Sequence, residues 1–285
     1  MDKYIVKTNQ VKTKPVNGYN IVYSESANTN RKHVLFIHGL GASFLSWRDI
    51  PDGLSEDFHT IAVDLIGFGL SQKPETADYT IKGFSKFIVD FLHQAIELKE
   101  GEKISIVGHS LGGYIAAQIA IENRDLIEKL VLIDSSGKLD GSTELLKEYL
   151  YAARELNLIS RYEKIQRVFE NIYARHSSLL PIVIDAFNCT IEMPHARKAF
   201  ESAFYNSTGT KIQSQLLKQI ENIPCLIIWG KNDNLIPLNY AKEFKNDLPN
   251  AEFEIIPASG HAPFVEKTAL VYEKIRTFLM KQDKT

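Results

Sequence analysis

Six short, mostly apolar runs bounded by turn residues recur along this chain: His33 to Ile37, His59 to Val63, Ile104 to Val107, Leu130 to Ile133, Cys225 to Trp229 and Phe253 to Ile256. They are too short for buried helices and lack the alternation of a half-solvated sheet, so they read as strands covered on both faces. Between them lie segments with helical spacing, such as Phe84, Phe87, Ile88, Phe91 and Leu92, then Ile115, Ile119 and Ala120, then Val271, Tyr272, Ile275, Phe278 and Leu279. Strand and helix in alternation require right-handed crossovers, and these build a parallel sheet with helices on both sides. Ahead of this pattern, Asn17-Gly18 precedes the alternating run Tyr19 to Tyr23, which predicts an antiparallel hairpin at the start.

One interval breaks the rhythm. From Lys138 to Asn222 no strand-like run occurs, and the apolar residues (Leu145, Leu146, Tyr149, Leu150; Ile165, Val168, Phe169, Ile172; Leu179, Leu180, Ile182, Val183, Phe187) fall at helical spacing. Breaks at Gly137, Pro181, Pro194 and Gly209 divide the interval into about four helices. The expected organisation is therefore a core of residues 1–137 and 223–285 with a helical cap, residues 138–222, inserted over one end of the sheet. With 285 residues, 44% of them hydrophobic, the chain can bury such a core.

Charge and cysteine content narrow the function. A formal net charge of −2, from 33 basic and 35 acidic residues, gives no electrostatic basis for binding nucleic acid or an anionic membrane. The segment MDKYIVKTNQ lacks the regions of a secretory signal and no apolar run could span a bilayer, so the expected location is cytoplasmic. Cys189 and Cys225 are too few for a disulfide framework and have no partner at metal-ligand spacing, and they read as reduced structural thiols. No feature implies a metal or organic cofactor, and oligomeric state is not legible.

The chemistry is carried by "GHSLGG", residues 108 to 113, which follows the strand at Ile104 to Val107 and opens the next helix. Gly-x-Ser-x-Gly at a strand-to-helix junction is the bend that projects a serine nucleophile, with glycines where strand and helix crowd together. The motif occurs once, and it assigns Ser110 as nucleophile. A serine hydroxyl needs a base, and the base needs an orienting carboxylate. In a parallel sheet the C-terminal strand ends share one edge, where ligands bind. His261, in "ASGHAPF" after the last strand, and Asp233, in "LIIWGKNDNLIP" after the strand before it, both fall on that edge, in the order Ser, Asp, His. Asp134, at the end of the Leu130 to Ile133 strand, is the rival carboxylate. Asp49 and Asp64 read as loop braces. His33, His59, His93, His176 and His195 read as surface or packing residues, and the His109 side chain is expected to turn away from the nucleophile. The oxyanion needs two amides. Leu111 supplies the first, and Leu40, in the "HGLGAS" loop freed by Gly39 and Gly41, supplies the second.

Taken together, "LFIHGLGAS", "DLIGFGLSQKP", "IVGHSLGG", "LIIWGKNDNLIP" and "IPASGHAPFVEK" resemble the α/β-hydrolase superfamily, in its serine-nucleophile branch with a helical cap after the sixth strand. The resemblance spans nearly the whole chain outside the cap. It implies an eight-stranded, mostly parallel sheet flanked by helices, with Ser110, His261 and Asp233 as the triad and Leu40 and Leu111 as oxyanion amides. A serine at the nucleophile position argues against the dehalogenase and epoxide hydrolase branches, and the elbow differs from that of proline iminopeptidases. The expected function is hydrolysis of small to medium carboxylic esters with a mostly apolar acyl or alcohol group. Thioesters, lactones and vinylogous diketones cleaved at a carbon-carbon bond stay open on the same triad, as does a ligand-sensing receptor with vestigial hydrolysis.

Overall fold

The computed structural model describes residues 9–47, 49–174 and 180–282. The hairpin expected at the start is present as β1 (Gln10–Val16) and β2 (Tyr19–Glu25), with Asn17 and Gly18 both at positive φ in the turn. The six apolar runs become β3 (His33–Ile37), β4 (His59–Val63), β5 (Ile104–His109), β6 (Ile127–Ile133), β7 (Cys225–Gly230) and β8 (Glu252–Ile256). They join in one eight-stranded sheet of order β1-β2-β4-β3-β5-β6-β7-β8. Only β1 with β2 and β2 with β4 pair antiparallel; every other pair is parallel. The fold is an α/β-hydrolase fold.

The helices cover both faces. α1 (Ile50–Leu54) and α11 (Thr268–Met280) pack on one face, where Ile50, Leu54, Val271 and Ile275 join Phe36, Val107 and Val131 of the strands. α2 (Ile81–Gln94), α3 (Leu111–Glu122) and α9 (Leu238–Asp247) pack on the other, and the remaining α10 (Pro263–Glu266) is a single turn after β8. α2 starts where Thr80 caps it by accepting the Gly83 amide, and it turns Phe84, Ile88, Phe91 and Leu92 inward. α3 is buried on all sides, which explains why "LGGYIAAQIA" shows little polar face: it lies between sheet and inserted helices.

Between β6 and β7 the described residues hold five helices rather than about four: α4 (Glu144–Arg154), α5 (Leu158–Ile172), α6 (Leu180–Ile191), α7 (Ala196–Thr208) and α8 (Ser214–Lys218). Pro181 does not break a helix; it occupies the second position of α6, where a missing N–H costs nothing. The extra helix, α8, is a five-residue turn too short to show a period. His176 and Leu179 lie outside the described residues. Among those described, no helix is long and apolar enough to cross a membrane. Cys225 is buried in β7 and Cys189 is exposed on α6, and both are free thiols.

Candidate active site

Ser110 sits between β5 and α3 at φ +53° and ψ −118°, a strained conformation for a residue with a side chain. The neighbouring backbone holds it there. The Ser110 N–H donates to Ile133 O at 3.0 Å, and its carbonyl accepts from the Gly113 and Ser136 amides. The flanking glycines are sterically required. A Cβ on Gly108 would press into the Gly112 and Gly113 backbone, and one on Gly112 would lie against the Ile37 carbonyl and 2.6 Å from His38 O. As the first residue of α3, Leu111 has no intrahelical acceptor for its N–H.

The loop after β3 runs beside this bend: a Cβ on Gly39 would lie 3.1 Å from the Ser110 Cβ. His38, which the sequence reading left unassigned, fixes that loop. Its Nδ1–H donates to Gly39 O at 2.7 Å and its Nε2 accepts the Leu65 amide at 3.0 Å. Full burial holds the ring neutral, with its pKa brought down to about 4. Because Gly39 O and Leu40 N–H are the two ends of one trans peptide, anchoring the carbonyl aims the amide the opposite way. Tyr149 of α4 donates to Leu40 O at 3.3 Å, so an inserted helix touches the same loop. Asp64 braces it further by accepting the Phe44 amide at 2.6 Å and the Leu70 amide at 2.7 Å, and burial pushes its carboxyl up to about 7. Asp49, expected as another brace, makes no side-chain cap to α1.

His261 and Asp233 meet across adjacent loops. Asp233 Oδ1 accepts the Leu235 and Ile236 amides at 2.8 and 2.9 Å, and Oδ2 accepts His261 Nδ1–H at 2.7 Å. Asn232 N–H to Ser259 O, 2.8 Å, ties the two loops, while Glu266 holds the Gly260 amide. The His261 N–H donates to Ile172 O at the end of α5, so the inserted helices also grip this loop. Asp134, the rival carboxylate, is not remote. It is fully buried, and one of its oxygens, one of Asp233 and a ring nitrogen of His261 all lie within 4.8 Å of one another. These are metal-ligand atom types, but His261 Nδ1 is taken by Asp233 and Asp134 Oδ1 by the Gly230 amide at 2.8 Å, so two of the three groups already have hydrogen-bond partners at those atoms.

His109, expected to turn its side chain away from the nucleophile, lines the same cavity as Ser110 and has a defined task there. Its Nε2–H donates to His261 O at 2.8 Å, and its ring packs 4.8 Å from those of His261 and Phe264. Burial holds this imidazole well below its ordinary pKa, hence neutral. The remaining histidines lie elsewhere. His33 and His59 pair at 2.8 Å at the opposite end of the strands, His93 is on α2, and His195 sits beside Glu75 at 3.0 Å ahead of α7.

Ser110, His261 and Leu40 line one cavity of about 560 Å³, a size suited to a small organic molecule. Its upper wall comes from the inserted helices: Leu146, Tyr149, Phe169, Ile172, Val183 and Phe187. Of the aromatic residues between β6 and β7, Tyr149, Phe169, Tyr173 and Phe187 line it, whereas Phe200 and Phe204 are core and Tyr151 and Tyr205 are exposed. The charged side chains among its described lining residues other than histidine are Asp49 and Asp52. Among the described residues no side chain hydrogen-bonds the Ser110 hydroxyl, and the hydroxyl does not cap α3. A larger, open and polar groove of about 1550 Å³ lies at the other end of the sheet around Lys12, His33 and His59, away from this chemistry.

A family profile described as alpha/beta hydrolase fold matches residues 32–268. The chain is 29% identical over 271 residues to the uncharacterized hydrolase YugF of Bacillus subtilis, covering 93% of this chain and 96% of that one. It is also 29% identical to Lipase 1 of Psychrobacter immobilis, covering 93% and 83%. Among solved structures, the 2-hydroxy-6-oxo-6-phenylhexa-2,4-dienoate hydrolase of Rhodococcus superposes with a TM-score of 0.84 at 22% identity, over 96% of this chain and all of that one.

Proposed function

We propose that this chain, which belongs to the alpha/beta-hydrolase family, is a serine hydrolase that cleaves small to medium carboxylic esters through an acyl-enzyme. The observation that carries the reading is the 2.7 Å contact between His261 Nδ1 and Asp233 Oδ2 at the wall of the cavity that also exposes the strained Ser110. That contact commits the Nδ1 proton to the carboxylate and leaves Nε2 as the basic nitrogen.

In this reading the Ser110 hydroxyl attacks the ester carbonyl while His261 Nε2 takes its proton, and Asp233 stabilises the imidazolium so formed. The carbonyl oxygen becomes an oxyanion held by the Leu40 and Leu111 amides. His38 and Asp64 serve the first donor by fixing the loop that carries it, and the elbow fixes the second. His261 returns the proton to the leaving alcohol, and water then attacks the acyl-enzyme by the same steps in reverse. Residues 138–222 act as a cap whose apolar wall accepts the acyl or alcohol group. A neutral ester is favoured over a carboxylate-bearing substrate because the acidic Asp49 and Asp52 are the charged groups among the described lining residues. The similarity to Lipase 1 supports ester chemistry.

The test is hydrolysis of a panel of short- and medium-chain esters, thioesters, lactones and a vinylogous diketone, with Ser110→Ala as blank. Ester turnover that vanishes in Ser110→Ala with an unchanged melting curve is the expected result. Turnover confined to the diketone, or undiminished in the alanine variant, would refute the assignment.

A further inference from the structure

We infer that Asp134 is held as a neutral carboxylic acid whose hydroxyl donates to Asp233, making it a positioning residue that shares one proton with Asp233 behind His261. Its effect on catalysis rests on the ester hydrolase reading; its protonation does not.

Asp134 follows β6 directly, at φ +42°, and is wholly buried. One oxygen, Oδ1, accepts the Gly230 amide, while Oδ2 is buried with no partner if the group is written as a carboxylate. An orphaned buried oxygen is costly, and more so when it is charged. Protonation removes the difficulty, because the hydroxyl gains an acceptor in Asp233, whose oxygen lies within the same 4.8 Å cluster.

Counting donors decides which aspartate keeps the proton. Asp233 receives three N–H groups, from Leu235, Ile236 and His261, whereas Asp134 receives one, from Gly230. Hydrogen bonds to the charged form favour ionisation, so Asp233 takes the charge and Asp134 the proton. Beyond Asp233 and the neighbouring His261, Glu266 of α10 also acts on Asp134 and disfavours a second negative charge. Burial and the Asp233 charge together push the Asp134 carboxyl well above the ordinary range.

The consequence reaches His261. A donor on Asp233 spreads its charge and loosens its hold on the imidazolium, so Asp134 keeps His261 a usable base at lower pH than a lone Asp233 would. Asparagine imitates the neutral acid, since its carbonyl accepts from Gly230 and its NH₂ donates to Asp233. Leucine fills the space with no donor.

The experiment combines infrared difference spectroscopy of the whole protein with pH profiles of kcat/KM. Wild type minus Asp134→Asn, recorded at pH 7, is expected to show a protonated-carboxyl C=O band. Asp134→Asn is expected to keep the acid limb of the profile in place, and Asp134→Leu to move it up by about one pH unit. Absence of the band would overturn the inference, and so would an Asp134→Asn profile whose acid limb moves down by about one unit, the response to losing a real negative charge. If no ester is turned over, the infrared arm still decides the protonation state. If the leucine variant does not fold, the asparagine variant carries both readouts.

Discussion

Replacing Gly112 by alanine tests how tightly the nucleophile bend and the oxyanion loop are coupled. The new Cβ would lie 2.6 Å from His38 O and against the Ile37 carbonyl, roughly 1 Å short of ordinary van der Waals separation. Both contacts are backbone, so no rotamer relieves them; either α3 rises or the end of β3 moves. Overpacking of this kind costs about 1–3 kcal/mol. Gly112 lies in a helix, where alanine is preferred by about 1 kcal/mol, so the net stability loss is only about 0–2 kcal/mol. That lowers Tm by at most about 8 °C. Activity is the sensitive readout. The displaced segment, Ile37 and His38, leads straight into Gly39 and Leu40, and losing an oxyanion donor costs about 10²–10³ in kcat. The matched control is Gly101→Ala, which has φ +83° with nothing within 4 Å of the new Cβ; it should lose about 1–2 kcal/mol to backbone strain and no activity. Steady-state ester hydrolysis and thermal melts of both variants are the assay. A Gly112→Ala enzyme within about threefold of wild-type kcat would refute the proposed coupling, since a donor displaced by a full contact distance cannot leave the rate intact.

Three further outcomes follow from named contacts. Asp233→Asn should lower kcat by about 10⁴ with KM nearly unchanged, as expected when the base loses its orienting carboxylate, and steady-state kinetics at saturating ester would show it. The Asp64 carboxyl, pushed up to about 7 in the folded protein from an ordinary 3.8, binds its proton more tightly in the folded than in the unfolded chain. Its contribution should therefore fall as pH rises from about 4 to 7 and level off above, by an amount on the order of 4 kcal/mol; a pH-independent difference in urea unfolding between wild type and Asp64→Asn would contradict this. Lys138→Met removes the Nζ that donates to Asp247 Oδ2 at 2.5 Å and Ile212 O at 3.0 Å, leaving a nearly buried carboxylate unpaired. Urea unfolding should record a loss of about 3–5 kcal/mol, largely restored in Lys138→Met with Asp247→Leu.

The sheet was legible because strands buried on both faces must be apolar, and the bounds of β3 and β4 match the sequence reading. The misses have local causes. β5 continues through Gly108 and His109, which carry no apolar signal, so Ser110 follows the strand directly. β6 begins at Ile127, three residues early, because Lys129 sits inside it with Nζ donating to Leu279 O at the end of α11. A buried lysine whose partner lies 150 residues away has no sequence signature. Ser110, Asp233 and His261 were singled out because motif, chain order and sheet edge each point to them, and the structure pairs Asp233 with His261 beside the cavity that Ser110 lines. The structural roles of His38 and His109 were not legible, since they consist of hydrogen bonds to backbone groups. Asp134 was found as a competitor for the imidazole; only its distance to Asp233 and its unmatched oxygen mark it as a partner.

The central claim is that the Ser110 hydroxyl is the nucleophile, activated by His261. Incubation with a fluorophosphonate followed by peptide mass spectrometry tests it most directly. One adduct is expected, on the peptide containing Ser110, absent in Ser110→Ala and formed far more slowly in His261→Gln. An adduct on another serine, or none from a preparation that hydrolyses esters, would contradict the claim.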